Sequence, residues 1–270
     1  MSESGTALWG VTAAGNGQAT RPTRFNNAVH KIPKMAEVIA ADLRAKILSG
    51  EIAPGDSLFT ESALTDTYEV SRPTLREALR LLEAQHLVTV RRGSHRGPVV
   101  SLPDISVAAQ SVAVQLQLHS ATLGDVYRFR MFFEPQAARL VAERATEADI
   151  DRLRAIVTDL ATKRGNTAGF AATAGNFHQA LIDMSGNATM SVVAEALHRI
   201  SQEHSMRYME DVTDPEVQQT RAVRAFERLT GILEKRDGRA AEEFWSAHMA
   251  AVYGAMAKEN SETQISGIFR

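Results

Sequence analysis

The sequence predicts a mainly α protein: an N-terminal winged helix-turn-helix, three helices plus a β-hairpin, joined to an all-α antiparallel helical bundle. Three observations predict it. Apolar residues from Met35 to Leu82 recur at helical spacing in three blocks. An alternating, strand-like pair of segments follows, ending before Ser101. Everything after Asp104 reads as long helices split by brief Gly, Asn, Asp and Pro punctuation, with no strand signal and no internal repeat. Short connections between long helices argue for antiparallel neighbours.

Residues 1–33 are rich in Gly, Ser, Thr, Ala and Asn without a sustained period, which reads as a disordered tail. Its basic residues Arg21, Arg24 and Lys31 are available to DNA phosphates, although a plain solvated tail is the simpler reading. The first domain spans 34–101. Its first helix carries Val38, Ile39, Leu43, Ile47 and Leu48 and stops at Gly50, read as a C-cap; Pro54-Gly55-Asp56 marks a turn. Thr60 caps a short second helix running to Tyr68. Ser71 caps the third, with Pro73 in its first turn and Leu75, Ala78, Leu79 and Leu82 as its buried stripe. A strand is expected over Leu87–Arg92, a tight loop over Gly93–Gly97, and a returning strand over Pro98–Val100. Residues 102–105 read as a linker, 106–258 as the helical domain and 259–270 as a C-terminal tail. The helices are expected at roughly 105–118, 122–144, 147–164, 168–184, 188–211, 215–236 and 238–258.

Composition narrows the function classes. The chain has 270 residues, enough for two cores, with 44% hydrophobic and 23% charged residues, as in ordinary soluble domains. Aromatics at 6% disfavour base-stacking platforms for single strands or RNA. No run of about eighteen apolar residues is present, so no membrane partner is expected, and the N-terminus lacks the pattern of a secretory signal. The absence of cysteine excludes disulfides, thiolate metal sites and cysteine nucleophiles, and fits a cytoplasmic setting.

The charge distribution says more than its total of −2. Between Ser71 and Gly97 stand six Arg against two acidic residues, Glu77 and Glu83. The third helix opens with Ser71, Arg72, Pro73, Thr74, Leu75 and Arg76. With Leu75 inward, Arg72 and Arg76 share one exposed face, able to reach phosphate or the acceptor edge of guanine, while Ser71 and Thr74 can donate to phosphates. The hairpin adds Arg91, Arg92, His95 and Arg96. Charge alone would be equally well explained by a solvated helix face; the ordered combination of turn, short helix, capped basic helix and basic hairpin favours duplex DNA.

At these residues a resemblance becomes specific. The segments IAADLRAKILSG (39–50), IAPGDSL (52–58), Glu61 and VSRPTLREAL (70–79) resemble the N-terminal domain of the GntR family. The resemblance implies a homodimer on an inverted-repeat operator, with DNA contacts from Ser71, Arg72, Thr74 and Arg76 and from Arg92 and Gly93 of the wing. The second helix's contact position, often arginine in the family, is Ser62 here. The segment DVYRFRMFFEPQAARLVAER (125–144), together with Phe177-His178, Ser185-Gly186-Asn187, Asp237, Ala241 and His248, resembles the FCD ligand domain of the FadR-like branch.

Many domains of that type hold a divalent metal through an Asp and a His four apart on one helix and two later His. Here His178 and His248 match, but Ala174 stands where the Asp would be and Phe226 where the third His would be. A divalent metal is therefore not expected, and His178 and His248 read as buried polar or ligand-bonding residues; a partial His site is the alternative. Asn176 lies on another helix face, and His198 and His204 cannot be placed. Phe226 makes the cavity more apolar, which favours an acyl chain or other hydrophobic effector over a small metal-chelated carboxylate; an acyl or carboxylate metabolite is the partner expected. Arg130, cavity-facing by the resemblance, would pair with an effector carboxylate or phosphate, or else form a surface ion pair with Glu134. Met131, Phe132 and Phe133 read as core and dimer packing.

The reading is a DNA-binding transcriptional regulator, repression being the commoner mode the resemblance implies, controlled by a small-molecule effector bound at Arg130, His178, Phe226 and His248. A metal-dependent regulator retaining the partial His site is the alternative, and an enzyme a remoter one, since no phosphate loop, nucleophile elbow or metalloprotease motif is present. A protein-interaction module built on a winged helix is the remaining possibility.

Overall fold

The computed structural model describes residues 33–90, 97–211, 214–260, 263 and 265. Three helices, α1 (Met35–Leu48), α2 (Glu61–Tyr68) and α3 (Arg72–Glu83), precede a hairpin of β1 (Val88–Thr89) and β2 (Val99–Val100). Their apolar stripes close one small core. Ile39, Leu43 and Ile47 of α1 meet Leu64 of α2 and Leu75, Leu79 and Leu82 of α3, and Leu87, Val88 and Val100 cover the open end. Each local signal has a physical partner. Thr60 and Ser71 accept hydrogen bonds from the Ala63 and Thr74 amides, capping α2 and α3. Ser49 is the C-cap of α1, and the Gly50 expected there follows it with φ +79°.

Among the described residues the hairpin is shorter than the sequence suggests. Of the strand expected over Leu87–Arg92, β1 contains Val88 and Thr89, paired antiparallel with Val100 and Val99, while Leu87 and Val90 lie outside it and Arg91 and Arg92 lie outside the described residues. Val99 also bridges Ser57, so the ladder is extended by the loop before α2 and not by a longer strand. Gly97 makes this approach possible: at φ +75° an added Cβ would lie 2.7 Å from the Leu58 carbonyl oxygen.

Among the described residues seven helices follow: α4 (Ile105–Leu118), α5 (Leu123–Arg144), α6 (Glu147–Thr162), α7 (Thr167–Met184), α8 (Ala188–Asp211), α9 (Pro215–Glu234) and α10 (Gly238–Asn260). Capping boxes at Thr122–Asp125 and Thr146–Asp149 start α5 and α6, and Asp104 caps α4. The main core lies among α5, α6, α7, α9 and α10 and includes Leu153, Phe170, Phe177, Leu181, Phe226, Leu229 and Trp245. Helix α4 packs apart, on α8, through Ala109, Ala113, Leu197 and Ile200; Ile265, beyond α10, is buried with them. Among the described residues no helix is long and apolar enough to cross a membrane.

Candidate effector cavity and nucleic-acid face

The exposed N-terminal face of α3 carries the residues expected to read DNA. Leu75 is fully buried while Ser71, Arg72 and Arg76 are exposed and Thr74 half-buried. The Ser71 Oγ lies 2.9 Å from Thr74 Oγ1 besides capping the helix, so both hydroxyls stand at the open α3 N-terminus. Arg76 is anchored: its Nε donates to Glu61 Oε2 on α2 at 3.0 Å. That bond uses one of its five N–H donors and sets the direction of the side chain. Arg91, Arg92, Gly93, His95 and Arg96 of the wing lie outside the described residues.

The second feature is a cavity of about 350 Å³ enclosed by α5, α7, α8, α9 and α10. Most of its wall is apolar, including Phe170, Ala174, Phe226, Met249 and Val252. Arg130, His178, His198 and His248 also reach it, and Gln218 and Arg221 come from the start of α9. No acidic residue is among the described residues lining it.

The polar side of the wall is a buried cluster built around one carboxylate. Glu134, only 1% exposed, accepts from Arg130 Nε on Oε1 at 2.7 Å. Its Oε2 lies 2.7 Å from His178 Nδ1 and accepts from Trp245 Nε1 at 3.1 Å. Burial alone would raise the carboxyl pKa of Glu134; the guanidinium of Arg130 and the imidazole of His178 more than reverse this, holding it well below the usual carboxylate range. Burial likewise disfavours the Arg130 cation, but the charge of Glu134 outweighs it and raises the guanidinium pKa. The Arg130–Glu134 pair foreseen as a surface contact is therefore a buried one, and Arg130 reaches the cavity while already neutralised. Its guanidinium also lies over the Tyr127 ring, 5.0 Å from the centroid.

The remaining imidazoles differ. Burial, reinforced by the nearby positive charge of Arg130, lowers the pKa of His198 to about 4; burial and the proximity of His178 bring His248 to about 4. Both are neutral near pH 7. His198 owes its place to Gly175, since an added Cβ there would meet the ring 2.1 Å from Cε1. Nothing in the spacing of the sequence announces this pairing of α7 with α8, nor the arrival of Gln218 and Arg221 from α9. His204 has no described side chain.

The donor set does not fit a divalent ion. Position 174 offers a methyl group, and among the described residues no group of three or more His, Asp, Glu or Cys is placed to hold a metal. Phe226 stacks on Phe177 with centroids 4.2 Å apart and presents its ring to the imidazoles of both His178 and His248, at 5.4 and 5.9 Å. A ligating imidazole is thus replaced by a packed phenyl ring, and the Nδ1 of His178 is engaged by Glu134. The aromatic run on α5 divides: Phe133 is buried and Met131 half-buried, but Phe132 is 77% exposed and is not a core residue.

Comparison with known proteins agrees with both halves of this architecture. Residues 35–95 match the family "Bacterial regulatory proteins, gntR family", and residues 125–251 match the FCD domain. The HTH-type transcriptional regulator LutR of Bacillus subtilis (strain 168) is 28% identical over 235 residues, covering 83% of this chain and 97% of that protein. The HTH-type transcriptional repressor NanR of Escherichia coli (strain K12 / DH10B) is 28% identical over 165 residues, covering 61% of this chain and 63% of its own length. Among solved structures, Streptococcus agalactiae GntR superposes with a TM-score of 0.66 at 23% identity, covering 82% of this chain and 99% of that one, a likeness of fold. These matches are to transcriptional regulators and not to enzymes.

Proposed function

Because the chain carries the DNA-binding domain of the GntR family followed by an FCD domain, and so belongs with that family's transcriptional regulators, we propose that it is a homodimeric repressor released from its operator by a small molecule in the α5–α10 cavity. The observation that supports effector control is the cavity itself, a mostly apolar chamber with a few convergent polar groups inside a bundle that has no need of one for folding. On the DNA side, Ser71, Arg72, Thr74 and Arg76 supply the base and phosphate contacts from α3, and Arg92, Gly93, His95 and Arg96 extend them through the wing. The effector contacts in this reading are Arg130, His178, Phe226 and His248, with His198 beside them on the cavity wall. The site works without a metal ion.

The mechanism follows from linkage. An effector that fits the cavity better in one relative setting of the two DNA-binding domains must favour that setting, and half-sites about one helical turn apart are matched by only one of them. The test uses duplex DNA enriched from a random library by cycles of binding. The full-length protein should bind it as a particle of twice the 29.4 kDa chain mass, with affinity falling steeply as salt rises. Salt-insensitive binding, or a monomer on the DNA, would overturn the reading.

A further inference from the structure

We propose that Glu61, at the start of α2, is a specificity-determining positioning residue for the DNA-reading helix: it holds Arg76 end-on, so that Arg76 reads a guanine in each half-site and not a phosphate. This rests on α3 being the element that reads duplex DNA. Arg76 is the fifth residue of α3 and is exposed, although its neighbour Leu75 is buried. An unrestrained arginine at such a place can swing between base edges and phosphates. Here Nε donates to Glu61 Oε2 at 3.0 Å, a tie between two helices whose side chains are 62% and 35% exposed. The guanidinium is planar and its five N–H donors form one rigid fork, so a partner on Nε fixes the plane of the group. It also takes the side-on edge out of use. The two terminal nitrogens remain, and their paired N–H groups match O6 and N7 of guanine. The carboxylate is itself well placed to hold still: Glu61 is the first residue of α2, directly after its cap Thr60, where the helix dipole favours a negative charge.

The charges point the same way. Arg72, one turn earlier on the same face, has no ion-pair partner among the described residues, so its full charge is available to a phosphate. The Glu61–Arg76 pair sums to zero and adds nothing to counterion release. Helix α2, ESALTDTY, has no basic residue to offset the carboxylate. Glu61 therefore repels the backbone of any duplex, matched or not, within the roughly 8 Å over which charge is felt at physiological salt. The pair withholds affinity from unmatched DNA and restores it where a guanine meets the fork, which is discrimination by difference.

The test measures binding of the full-length protein by fluorescence anisotropy over a range of salt concentrations. Its probes are the library-selected duplex, variants of it with each base pair replaced in turn, and a shuffled duplex. In the wild type, replacing one guanine per half-site should cost about tenfold, as the loss of one bidentate contact does. Glu61→Gln keeps the shape of the side chain and removes its charge. It should cut that discrimination by about threefold or more, leave the preferences at other positions unchanged, and bind the shuffled duplex at least as tightly as the wild type does. Glu61→Asp keeps the charge at the helix start but falls short of Arg76, so it should lose the guanine preference without gaining affinity for the shuffled duplex. The double variant Glu61→Gln with Arg76→Ala should discriminate no worse than Arg76→Ala alone, because Glu61 acts through Arg76. A guanine preference that survives both Glu61→Gln and Glu61→Asp overturns the proposal. So does an equal weakening on both duplexes with every position flattened, which is what a merely structural role would give. A wild type that does not distinguish selected from shuffled DNA overturns the DNA reading itself, and this proposal with it.

Discussion

Replacing Glu134 by Gln removes one negative charge from a buried carboxylate beside the cavity, and the structure says what that must cost. Glu134 Oε1 receives Arg130 Nε, and Oε2 receives Trp245 Nε1 with His178 Nδ1 alongside. A glutamine has one carbonyl oxygen and one amide nitrogen. If the oxygen faces Trp245 and His178, the amide N–H groups face the Arg130 donor. If it is flipped, they face the Trp245 donor. Either way a buried donor meets a donor, and Arg130 loses its counter-charge. Removing one partner of a buried pair costs about 3–5 kcal/mol, which for a helical domain of this size lowers Tm by roughly 10 °C.

The loss also has a pH signature. The carboxyl of folded Glu134 sits well below its ordinary value, so its contribution is complete above the unfolded-state pKa of about 4.3 and fades as pH falls towards the folded-state value. Glutamine does not titrate. The gap between wild type and Glu134→Gln should therefore hold steady from about pH 7 to 5 and narrow below about pH 4. Urea denaturation measures it, followed by fluorescence in a Trp9→Phe background so that Trp245, the other tryptophan, reports alone on the cluster. A gap under about 1 kcal/mol at pH 7, or one unchanged down to pH 3, would refute the buried ion-pair reasoning.

Three further outcomes are expected. Arg72→Ala and Arg76→Ala should each weaken binding to selected DNA by about 1–3 kcal/mol, and one that served only a phosphate would also reduce the salt slope by about one unit; unchanged affinity for both would remove α3 as the reading element. Gly175→Ala should displace the His198 ring and cost roughly 1–3 kcal/mol in a thermal melt, because its Cβ would fall 2.1 Å from that imidazole; a neutral change would show that α8 is not held against α7 at that point. The double variant Ala174→Asp with Phe226→His restores the missing carboxylate and imidazole, and should retain about one equivalent of zinc after dialysis while the parent retains none, as read by elemental mass spectrometry; a parent that keeps the metal would sink the metal-free site.

The DNA-binding half was legible because its signals are local. A cap, a proline in the first turn and a stripe of leucines at helical spacing act within one or two turns, so Ser71, Pro73 and Leu75 announce their roles in the order in which they occur. The hairpin was overread because alternation from Leu87 onward is a property of side chains, whereas a strand requires a partner. Val99 divides its pairing between Thr89 and Ser57, and among the described residues Val88 and Thr89 alone are held in β1. The helical boundaries of the second domain followed from punctuation for the same reason as the first.

The site inside the bundle is another matter. His178 and Phe226 could be marked as candidates one at a time, and the loss of two expected metal ligands could be read directly at Ala174 and Phe226. Sequence spacing could not bring Glu134 to Trp245 across 111 residues, seat His198 on Gly175, or bring Arg221 to the cavity wall. Those contacts depend on how five helices pack, and helix packing is decided by the shapes of whole faces, to which no short motif corresponds. The sequence by itself determined the fold class and the capped, basic third helix with its buried leucine stripe. Only the tertiary structure decided that Arg130 is already neutralised, because charge balance in a buried site depends on which groups lie within about 3 Å of one another and not on which groups the chain contains.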